Sequence, residues 1–332
     1  MERTRQDLKA MQNWSLWKKI QRTQGLIIEW YLRHEGQVFI SFSGGLGSTV
    51  LLDIARRCFP DIPAVFSDTG LEYRQNRTFA LSQDNVTVVK PKITFRQVIE
   101  QYGYPIISKE VSKIVYNYRN GSKYAKCCFR GVNNDGTPSK FRQRYVKYKY
   151  LTEAPFAISH KCCHHTKISP LDKYARRTKR KSIVGIMACE SQQREAGWIK
   201  IGCNAFESGR SAPLSFWLQT DLLHYVKKYN IPYSPLYGEI IPKNSQISLF
   251  EMENEWDIEL TTTACSRSGC AYCCFGILHD GTPNRFQRMK LTHPKLYEYC
   301  IGGGYYDANG MLQPDNNGLG IGKILDYIGV PY

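Results

Sequence analysis

Residues 37–70 read QVFISFSGGLGSTVLLDIARRCFPDIPAVFSDTG, and this stretch predicts the fold of the chain. Residues 38–42 are a short apolar run rich in β-formers, as in a buried strand. A loop of small residues follows at 43–48, apolar residues then recur at helical spacing, and a second apolar run occupies 64–66. Strand, glycine-rich loop, helix and strand form a βαβ unit, which predicts a doubly wound α/β fold with a parallel sheet.

The small-residue loop has the features of a phosphate-binding site. Its glycines let a ligand approach the backbone, and the following helix start offers free N–H groups and a partial positive charge. Hydroxyl groups in the strand and loop can add hydrogen bonds, and the next strand ends where ligands bind in such sheets. We therefore predict a nucleotide site formed by Ser41, Ser43, Gly44, Gly45, Ser48, Asp68, Thr69 and Gly70. A glycine-rich turn that only packs helix against strand is the alternative.

Two motifs, SGGxxS at 43–48 and DTGLEY at 68–73, resemble the adenine-nucleotide α-hydrolase group. That group includes the phosphoadenylyl-sulfate (PAPS) reductases, the ATP pyrophosphatases and the DNA phosphorothioation protein DndC. Its ATP-cleaving members usually carry Lys-Asp where this chain has Leu46 and Gly47, so a phosphate-directed cation and a carboxylate are missing here. The resemblance implies ATP or an adenylyl sulfate as the bound nucleotide, with Mg²⁺ as a further candidate.

Two later segments extend the resemblance. GIMACESQQR at 185–194 is similar to the family's Gly-x-x-x-x-Glu-Ser-x-x-Arg stretch, in which the arginine meets the anionic end of the nucleotide. This implies a catalytic role for Arg194 beside Asp68, and an internal salt bridge is the alternative. PLSFWLQTD at 213–221 resembles a scaffold segment, and we expect a helix from 213 to about 228.

The charge of the chain favours a polyanionic partner. Its 332 residues include 45 Lys and Arg against 29 Asp and Glu, a formal net charge of +16, which favours DNA or RNA. Residues 108–150 interleave cations with aromatic residues, as proteins that bind phosphates and unpaired bases do, although a solvated basic insertion fits equally well. No run of 18 apolar residues and no signal-peptide core is present, so we expect a cytoplasmic protein without membrane contact.

Twelve cysteines in a reducing compartment point to a metal, a cluster or redox chemistry rather than to disulfides. Cys162 and Cys163 are adjacent, and Cys270 and Cys273 form a Cys-x-x-Cys. Two such pairs can supply four thiolates to one centre. The spacing leaves zinc, an iron–sulfur cluster and unmetallated thiols open, and Cys265 or Cys274 could replace one ligand.

The cysteine pairs also resemble a family pattern. A Cys-Cys pair followed by Lys and Pro-Leu, with a later Cys-x-x-Cys, is similar to the cluster-binding residues of assimilatory adenylyl-sulfate reductases. The resemblance implies a [4Fe–4S] cluster held by Cys162, Cys163, Cys270 and Cys273. Sulfate-reducing members also carry a catalytic cysteine in a mobile C-terminal tail, whereas the last cysteine here is Cys300. We therefore expect the chain to depart from a conventional thiol-dependent reductase.

The sequence contains an internal echo. Cys127-Cys128-Phe129 followed by DGTP at 135–138 resembles Cys273-Cys274-Phe275 followed by DGTP at 280–283. The earlier copy has Tyr124 in the place of Cys270, so no second cluster is predicted. A matching hairpin and a chance similarity around the turn both remain open.

Three regions are predicted: N-terminal helices at 1–35, a nucleotide-binding α/β domain at 36–240 with a basic insertion at about 108–150, and a Cys-rich C-terminal cap at 241–332. The favoured function is adenine-nucleotide activation of an acceptor, a nucleic acid above all, for sulfur transfer, with a cysteine desulfurase as candidate sulfur donor. One alternative is an adenylyl-sulfate reductase that releases sulfite with a thioredoxin-like reductant. The other is a non-catalytic nucleic-acid-binding protein with a decayed nucleotide site.

Overall fold

The computed structural model describes residues 3–207, 209–243 and 258–332. Its contacts divide the chain into two units. Unit 1 comprises Met1–Asp68, Glu72–Pro91 and Ser169–Cys270, and unit 2 comprises Thr69–Leu71, Lys92–Ile168 and Ala271–Tyr332. The basic segment 108–150 thus groups with the C-terminal part of the chain, which differs from the sequence-based domain boundaries; those boundaries stay a prediction. Residues 244–257 of the predicted C-terminal cap lie outside the described residues.

The α-helices of the described residues include the N-terminal helices and the helix after the 43–48 loop that the sequence predicts. They are, in chain order, Arg5–Gln12 (α1), Leu16–Arg33 (α2), Leu46–Cys58 (α3), Arg74–Leu81 (α4), Phe95–Tyr102 (α5), Lys109–Arg119 (α6), Lys123–Arg130 (α7), Lys140–Val146 (α8), Ser169–Thr178 (α9), Gln192–Ile201 (α10), Gln219–Tyr229 (α11), Arg285–Thr292 (α12), Pro294–Ile301 (α13) and Ile321–Tyr327 (α14). None of these helices combines the length and apolar character needed to cross a membrane.

The strands are short. They are Val38–Phe42 (β1), Ala64–Ser67 (β2), Val86–Val89 (β3), Ile106–Ile107 (β4), Lys181–Val184 (β5), Asn204–Ala205 (β6), Arg210–Ser211 (β7), Ile240–Pro242 (β8), Leu260–Thr262 (β9), Cys274–Phe275 (β10), Tyr305–Tyr306 (β11) and Leu312–Gln313 (β12). The β1-loop-α3-β2 unit predicted from residues 37–70 is confirmed.

Unit 1 is built on a mostly parallel sheet with the strand order β3-β2-β1-β5-β7-β6. Ile40 of β1 lies opposite Ala64 of β2 on one side and Ile183 of β5 on the other, and both pairings are parallel. The edge strand β6 pairs antiparallel with β7. Because β1, β2 and β5 run the same way, their carboxyl ends share one edge of the sheet, where α/β proteins bind ligands.

Both faces of this sheet are covered, as the doubly wound prediction requires. Val38, Ile40 and Phe42 of β1 belong to the main core, together with α3 and α11. Phe39, which points to the other face, packs with Val65 and with Tyr174 of α9. The alternation along β1 therefore places helices on the two sides of the sheet, and the predicted α/β class is confirmed.

The helix predicted from 213 to about 228 begins later, at Gln219. Residues 213–216 form turns instead, and the N–H of the next residue, Trp217, donates to the Leu214 carbonyl at 3.0 Å. The buried Trp217 indole donates to Thr23 Oγ1 of α2 at 2.9 Å. Asp221 then caps the helix start through the Leu218 N–H at 2.6 Å, and its carboxylate also lies 2.6 Å from Lys19 Nζ. The scaffold role of this segment was foreseeable, but its helix boundary was set by these side-chain contacts.

Unit 2 interleaves distant parts of the sequence. Strand β4 pairs in parallel with β10, so that Ile106 lies opposite Cys274. The buried Tyr104 hydroxyl donates to the Leu319 carbonyl at 2.8 Å. The basic segment contributes α6, α7 and α8 to this unit. Residues 92–168 are therefore completed by the C-terminal part of the chain, and the predicted insertion at about 108–150 stays a prediction.

Candidate functional site

The 43–48 loop joins β1 to α3 and is held by α4. Asn76 of α4 donates from Nδ2 to the Ser43 carbonyl at 2.8 Å. Gly44 has a φ of +73°, and a Cβ at this position would lie 2.9 Å from the Asn76 carbonyl oxygen. Both the backbone conformation and the available space therefore require glycine at position 44.

Two of the predicted serines brace the loop. Ser48 Oγ accepts a hydrogen bond from the Ser43 N–H at 3.2 Å and donates to the Gly45 carbonyl at 2.9 Å. The Ser43 and Ser48 hydroxyl oxygens are 3.1 Å apart. Ser41 lies one strand position earlier than Phe42, half-buried within β1 and opposite Val65 and Val184 of the neighbouring strands. The loop thus presents Ser43 and Ser48 together at the start of α3, whereas Ser41 belongs to the sheet.

A tyrosine that the sequence did not single out supports the same loop. The Leu46 N–H, in the first turn of α3, donates to the Tyr237 hydroxyl at 3.1 Å. That hydroxyl donates to Ser268 Oγ at 2.8 Å. A Cβ at Gly45 would lie 2.6 Å from the same Ser268 Oγ. Tyr237 and Ser268 are about 190 residues or more from the loop in sequence, so no local pattern could have identified them.

Gly47 and Gly185 bring two backbones into contact. A Cβ at Gly47 would lie 2.8 Å from the Gly185 carbonyl oxygen, and a Cβ at Gly185 would lie 2.6 Å from the Gly47 carbonyl oxygen. Gly185 directly follows β5, so the start of α3 touches the end of the neighbouring strand. Position 47 therefore has no room for the aspartate of the ATP-cleaving members unless the backbone moves.

Asp68 is a buried carboxylate whose charge is compensated. Arg77 of α4 donates to both of its oxygens, from Nε to Oδ1 at 3.0 Å and from Nη2 to Oδ2 at 2.8 Å. This pairing raises the pKa of Arg77. Asp68 therefore lies at the carboxyl end of β2 as predicted, but as half of a bidentate ion pair; its predicted catalytic role stays a prediction. Thr69 and Gly70 belong to unit 2, where Thr69 Oγ1 accepts from the Leu71 N–H at 3.1 Å.

Arg194 lies in a group of three arginines. It sits in the first turn of α10, whose N-cap is Ser191, and forms an ion pair with Glu190. Burial and the positive charges of Arg267 and Arg210 lower the pKa of Arg194. The internal salt bridge foreseen as the alternative is present. The charges of Arg267 and Arg210 add to that of Arg194, and such a concentration of guanidinium charge suits an anionic group.

The adjacent cysteines of unit 2 form a hydrogen-bonded pair in which Cys162 donates to Cys163. The Sγ atoms of Cys162 and Cys163 are 3.9 Å apart. The hydrogen bond from Cys162, with help from the charges of Lys167 and Lys109, lowers the pKa of Cys163 to about 6 against the opposing effect of burial. Cys163 is therefore largely a thiolate at neutral pH, which is the form that binds metals. The donor chemistry of this pair fits a metal or cluster ligand.

The Cys-x-x-Cys segment spans the boundary of the units. Cys270 is the last residue of unit 1, and Cys273 lies in unit 2. Within the described ranges, no group of three or more His, Cys, Asp or Glu side chains is arranged around one metal position. The four-cysteine centre therefore stays a prediction. The buried Cys274 has a pKa raised by burial, which favours a core thiol over a ligand, and Cys265 packs against the core of unit 1.

An arginine clamps the backbone beside Cys273. Arg285 Nη1 donates to the carbonyl oxygens of Cys273 and Phe275, each at 3.0 Å. Asp280 holds this guanidinium through its two oxygens at 2.7 and 2.8 Å. The aspartate of the second DGTP turn therefore positions the arginine that fixes the Cys273 segment. The sequence contained this turn, but did not reveal its link to the cysteine.

The internal echo is a shared turn and helix, not a repeated cysteine site. Cys127 and Cys128 lie in α7, whereas Cys274 begins β10. After each DGTP turn a capped helix begins, with Ser139 at the N-cap of α8 and Asn284 at that of α12. The two copies therefore differ where the second one carries its Cys-x-x-Cys.

The basic segment uses its arginines in two ways. Arg119 donates to the carbonyl oxygens of four residues, which are Leu151, Thr152, Ala154 and Phe156. This arginine is a structural brace. Arg142 lies 4.8 Å from the Tyr124 ring centre, and Arg144 lies 4.0 Å from that of Phe141, and both rings are exposed. These two pairs place cations and aromatic faces together on the surface, and Arg142 also donates to the Val132 carbonyl while Arg144 pairs with Glu110. The nucleic-acid interpretation of this segment stays a prediction.

Comparisons with known proteins match this chain to one family. A family model described as the phosphoadenosine phosphosulfate reductase domain matches residues 37–147 and 116–274. The chain is 22% identical over 217 residues to an adenosine 5'-phosphosulfate reductase of Lysinibacillus sphaericus, covering 65% of this chain and 75% of that protein. It is 22% identical over 218 residues to a reductase of the same name from Staphylococcus epidermidis, covering 65% and 72%. A crystal structure of a PAPS reductase from Candida auris, in a phosphate complex, aligns with a TM-score of 0.36 at 14% identity, over 71% of this chain and 92% of that one.

Proposed function

Because the chain belongs to the phosphoadenosine phosphosulfate reductase domain family, we propose that it is an enzyme that binds an adenosine phosphosulfate and releases its sulfur as sulfite. The matched ranges contain the 43–48 loop, Arg194 and both cysteine pairs. The names of the two bacterial relatives agree with this reaction. The observation that carries the proposal is the backbone contact between Gly47 and Gly185.

That contact bears on which nucleotide the loop accepts. ATP-cleaving members of the group carry Lys-Asp at positions 46 and 47, whereas this loop offers hydroxyl and N–H groups without a charged side chain. A triphosphate with its metal requires cations and carboxylates near the β- and γ-phosphates. A single phosphate requires only neutral donors at a helix start. The loop therefore suits the one phosphate of an adenosine phosphosulfate, and Arg194 suits the sulfate.

The proposed reaction breaks the bond between the sulfate sulfur and the bridging phosphate oxygen. Adenosine monophosphate leaves with the electron pair of that bond. This scheme departs from a conventional thiol-dependent reductase because both thiols belong to a thioredoxin-like reductant and none to this chain. One thiol attacks the sulfur and displaces adenosine monophosphate, and the second displaces sulfite as the disulfide forms, with release of two protons. In this scheme the loop binds the leaving phosphate, and Arg194 orients the sulfate and stabilises its negative charge.

We further propose that Cys162, Cys163, Cys270 and Cys273 hold a [4Fe–4S] cluster. The depressed pKa of Cys163 supports this assignment, because cluster ligands are thiolates. When bound, such a cluster would supply electron-transfer chemistry or positive charge. Structural zinc is distinguished from it by metal analysis of anaerobically purified protein, since iron and inorganic sulfide are expected only for the cluster.

Sulfur transfer to a nucleic acid is the second candidate, favoured by the net charge of +16 and by the exposed pairs Arg142–Tyr124 and Arg144–Phe141. In this scheme ATP adenylates an acceptor oxygen with release of pyrophosphate. The persulfide of a cysteine desulfurase then attacks the adenylated centre, and the oxygen leaves with adenosine monophosphate. A thioredoxin-like dithiol cleaves the resulting S–S bond with two electrons, leaves the sulfur on the acceptor, and becomes a disulfide. The first product of this scheme is pyrophosphate, whereas the proposed reduction releases adenosine monophosphate and sulfite.

One experiment separates the two schemes. Anaerobically purified protein is incubated with adenosine 5'-phosphosulfate and a dithiol, or with ATP in the presence and absence of DNA or RNA. Sulfite in the first incubation supports the reductase, and pyrophosphate release stimulated by nucleic acid supports sulfur transfer. If iron is present and neither product forms, both enzymatic proposals are wrong and the non-catalytic interpretation stands.

Arg194→Gln tests the assigned anion contact. We expect kcat/KM for adenosine phosphosulfate to fall about 100-fold, as when one preorganised donor to a developing charge is removed. Lys200→Gln is the matched control, because Lys200 is exposed on the same helix. Equal kcat/KM values for the Arg194→Gln and Lys200→Gln variants would contradict the proposed role of Arg194.

A further inference from the structure

Unit 1 contains a basic cavity at the amino edge of its sheet. The cavity has a volume of about 740 Å³ and lies between the end of α9, the start of β5, the end of α10 and the start of β7. Five cations line it, with Asp172 as the only acidic residue among the lining residues of the described chain. These cations are Arg176, Lys179, Arg180, Lys181 and Arg210.

Most of these cations are uncompensated. Arg180 donates from Nη1 to the Val38 carbonyl at 2.9 Å, so it is tied to the sheet. The side chains of the other four are exposed and form no ion pair or hydrogen bond with any residue that the structure describes. Like charges held this close repel one another, so the cavity favours a polyanionic ligand that neutralises several of them.

The cavity is separate from the nucleotide loop. Strands β1 and β5 are parallel; the loop follows the carboxyl end of β1, whereas the cavity lies at the amino end of β5. The sheet core therefore stands between the two places. The proposed reduction of an adenosine phosphosulfate uses no cavity residue directly, and only Arg210 also acts on the proposed sulfate site, through its charge on Arg194. A ligand of the cavity is therefore a further ligand of the protein.

We propose that this cavity binds the phosphate backbone of a nucleic-acid strand. The five cations come from three segments of the chain, at 176, at 179–181 and at 210, and line one cavity of about 740 Å³, which is much larger than a single phosphate group. Exposed lysine and arginine that neutralise successive phosphates are the usual source of sequence-independent nucleic-acid binding. The exposed side chain of Ile201 adds an apolar surface at the same cavity.

The test compares two double variants of the full chain. Arg176→Gln with Lys181→Gln removes two cavity cations, and Lys227→Gln with Lys295→Gln removes two exposed cations that do not line the cavity. Binding of a 20-nucleotide single strand, as DNA and as RNA, is measured at several salt concentrations, with tripolyphosphate as a separate ligand. Binding of an adenine nucleotide is measured in parallel.

We expect the cavity variant to lower the slope of log affinity against log salt by about 1.4, because each neutralised phosphate of a single strand contributes about 0.7. The control variant and adenine-nucleotide binding should be unchanged. An equal loss in both variants would mean that only net charge matters, and would overturn the proposal. If tripolyphosphate binds and neither the DNA nor the RNA oligonucleotide does, the nucleic-acid assignment is wrong. Failure of the unmodified protein to bind an adenine nucleotide, with oligonucleotide binding intact, would count against the proposed enzyme and not against the cavity. Loss of adenine-nucleotide binding in the cavity variant would overturn the separation of the two sites.

Discussion

At the scale of single residues, the contact between Gly47 and Gly185 leads to a prediction about stability. Gly47→Ala places a Cβ 2.8 Å from a backbone carbonyl oxygen, which cannot rotate away as a side chain would. We expect the free energy of unfolding to fall by about 1–3 kcal/mol, as for overpacking of a tight interior. We also expect weaker adenine-nucleotide binding, since the start of α3 must shift. Urea unfolding and nucleotide titration measure the two effects.

Gly25→Ala is the matched control. Gly25 lies in α2, is exposed, and has no atom within 4 Å of an added Cβ. Alanine should therefore stabilise that helix by about 0.5–1 kcal/mol. If Gly47→Ala is as stable as Gly25→Ala and binds the nucleotide normally, the backbone contact does not limit position 47, and the argument against an aspartate there is wrong.

The residues of the candidate site were predictable from sequence only where the signal is local. Ser43, Gly44 and Ser48 share one loop between a strand and a helix, so their spacing predicts their proximity. Tyr237 and Ser268 reach the same loop only after the chain has folded, and Arg77 compensates Asp68 from a different helix. Such partners are fixed by tertiary packing, which a single sequence does not display.

At the scale of elements, the clamp formed by Asp280 and Arg285 leads to a prediction about the proposed cluster. Arg285→Lys keeps the positive charge but loses the planar fork that reaches the Cys273 and Phe275 carbonyls while bound to Asp280. The Cys273 segment should loosen. We expect the iron content of anaerobically purified protein to fall at least several-fold, because residues that orient metal ligands change metal affinity by about 10–100-fold. Iron analysis and visible absorbance report the change.

Arg288→Lys controls for substitution on the same helix. Arg288 is also in α12, but its guanidinium donates to the Pro283 carbonyl and does not contact the Cys273 segment. The Arg288→Lys variant should therefore keep its iron. Full iron in Arg285→Lys as well would show that the clamp only supports the fold, and thermal unfolding of both variants separates loss of stability from loss of the cluster.

Elements were predictable where hydrophobic periodicity agrees with tertiary contacts. The continuous apolar run of β1 and the helical spacing in α3 each match the burial that the sheet imposes. The segment at 213–217 was also predicted to be helical, but its tryptophan is held by Thr23 of α2. The helix begins at Gln219, where Asp221 in the first turn accepts a hydrogen bond from the Leu218 N–H. A competing tertiary contact thus moved a boundary that local propensity alone had placed earlier.

At the scale of the whole molecule, unit 2 makes a prediction about folding. Residues 92–168 appeared from sequence to contain a basic insertion, yet their strand β4 pairs with β10 and the Tyr104 hydroxyl bonds to Leu319. Arg119 braces only the local turn at 151–156. We therefore expect a fragment of residues 92–168 to lack cooperative thermal unfolding, because its apolar surface and its β4 edge have no partner.

Adding the complementary fragment, residues 271–332, should restore structure to 92–168. The helical ellipticity of the mixture should be larger in magnitude than the sum of the values for the two separate fragments, and a cooperative thermal transition should appear. The Tyr104→Phe variant of the first fragment provides the control, since it keeps the ring but loses the hydrogen bond to Leu319 and should lower the stability of the mixture by about 1 kcal/mol. A cooperative transition for 92–168 alone would instead favour the insertion within an α/β domain. The domain boundaries at 36–240 would then describe the chain better than the two contact-based units.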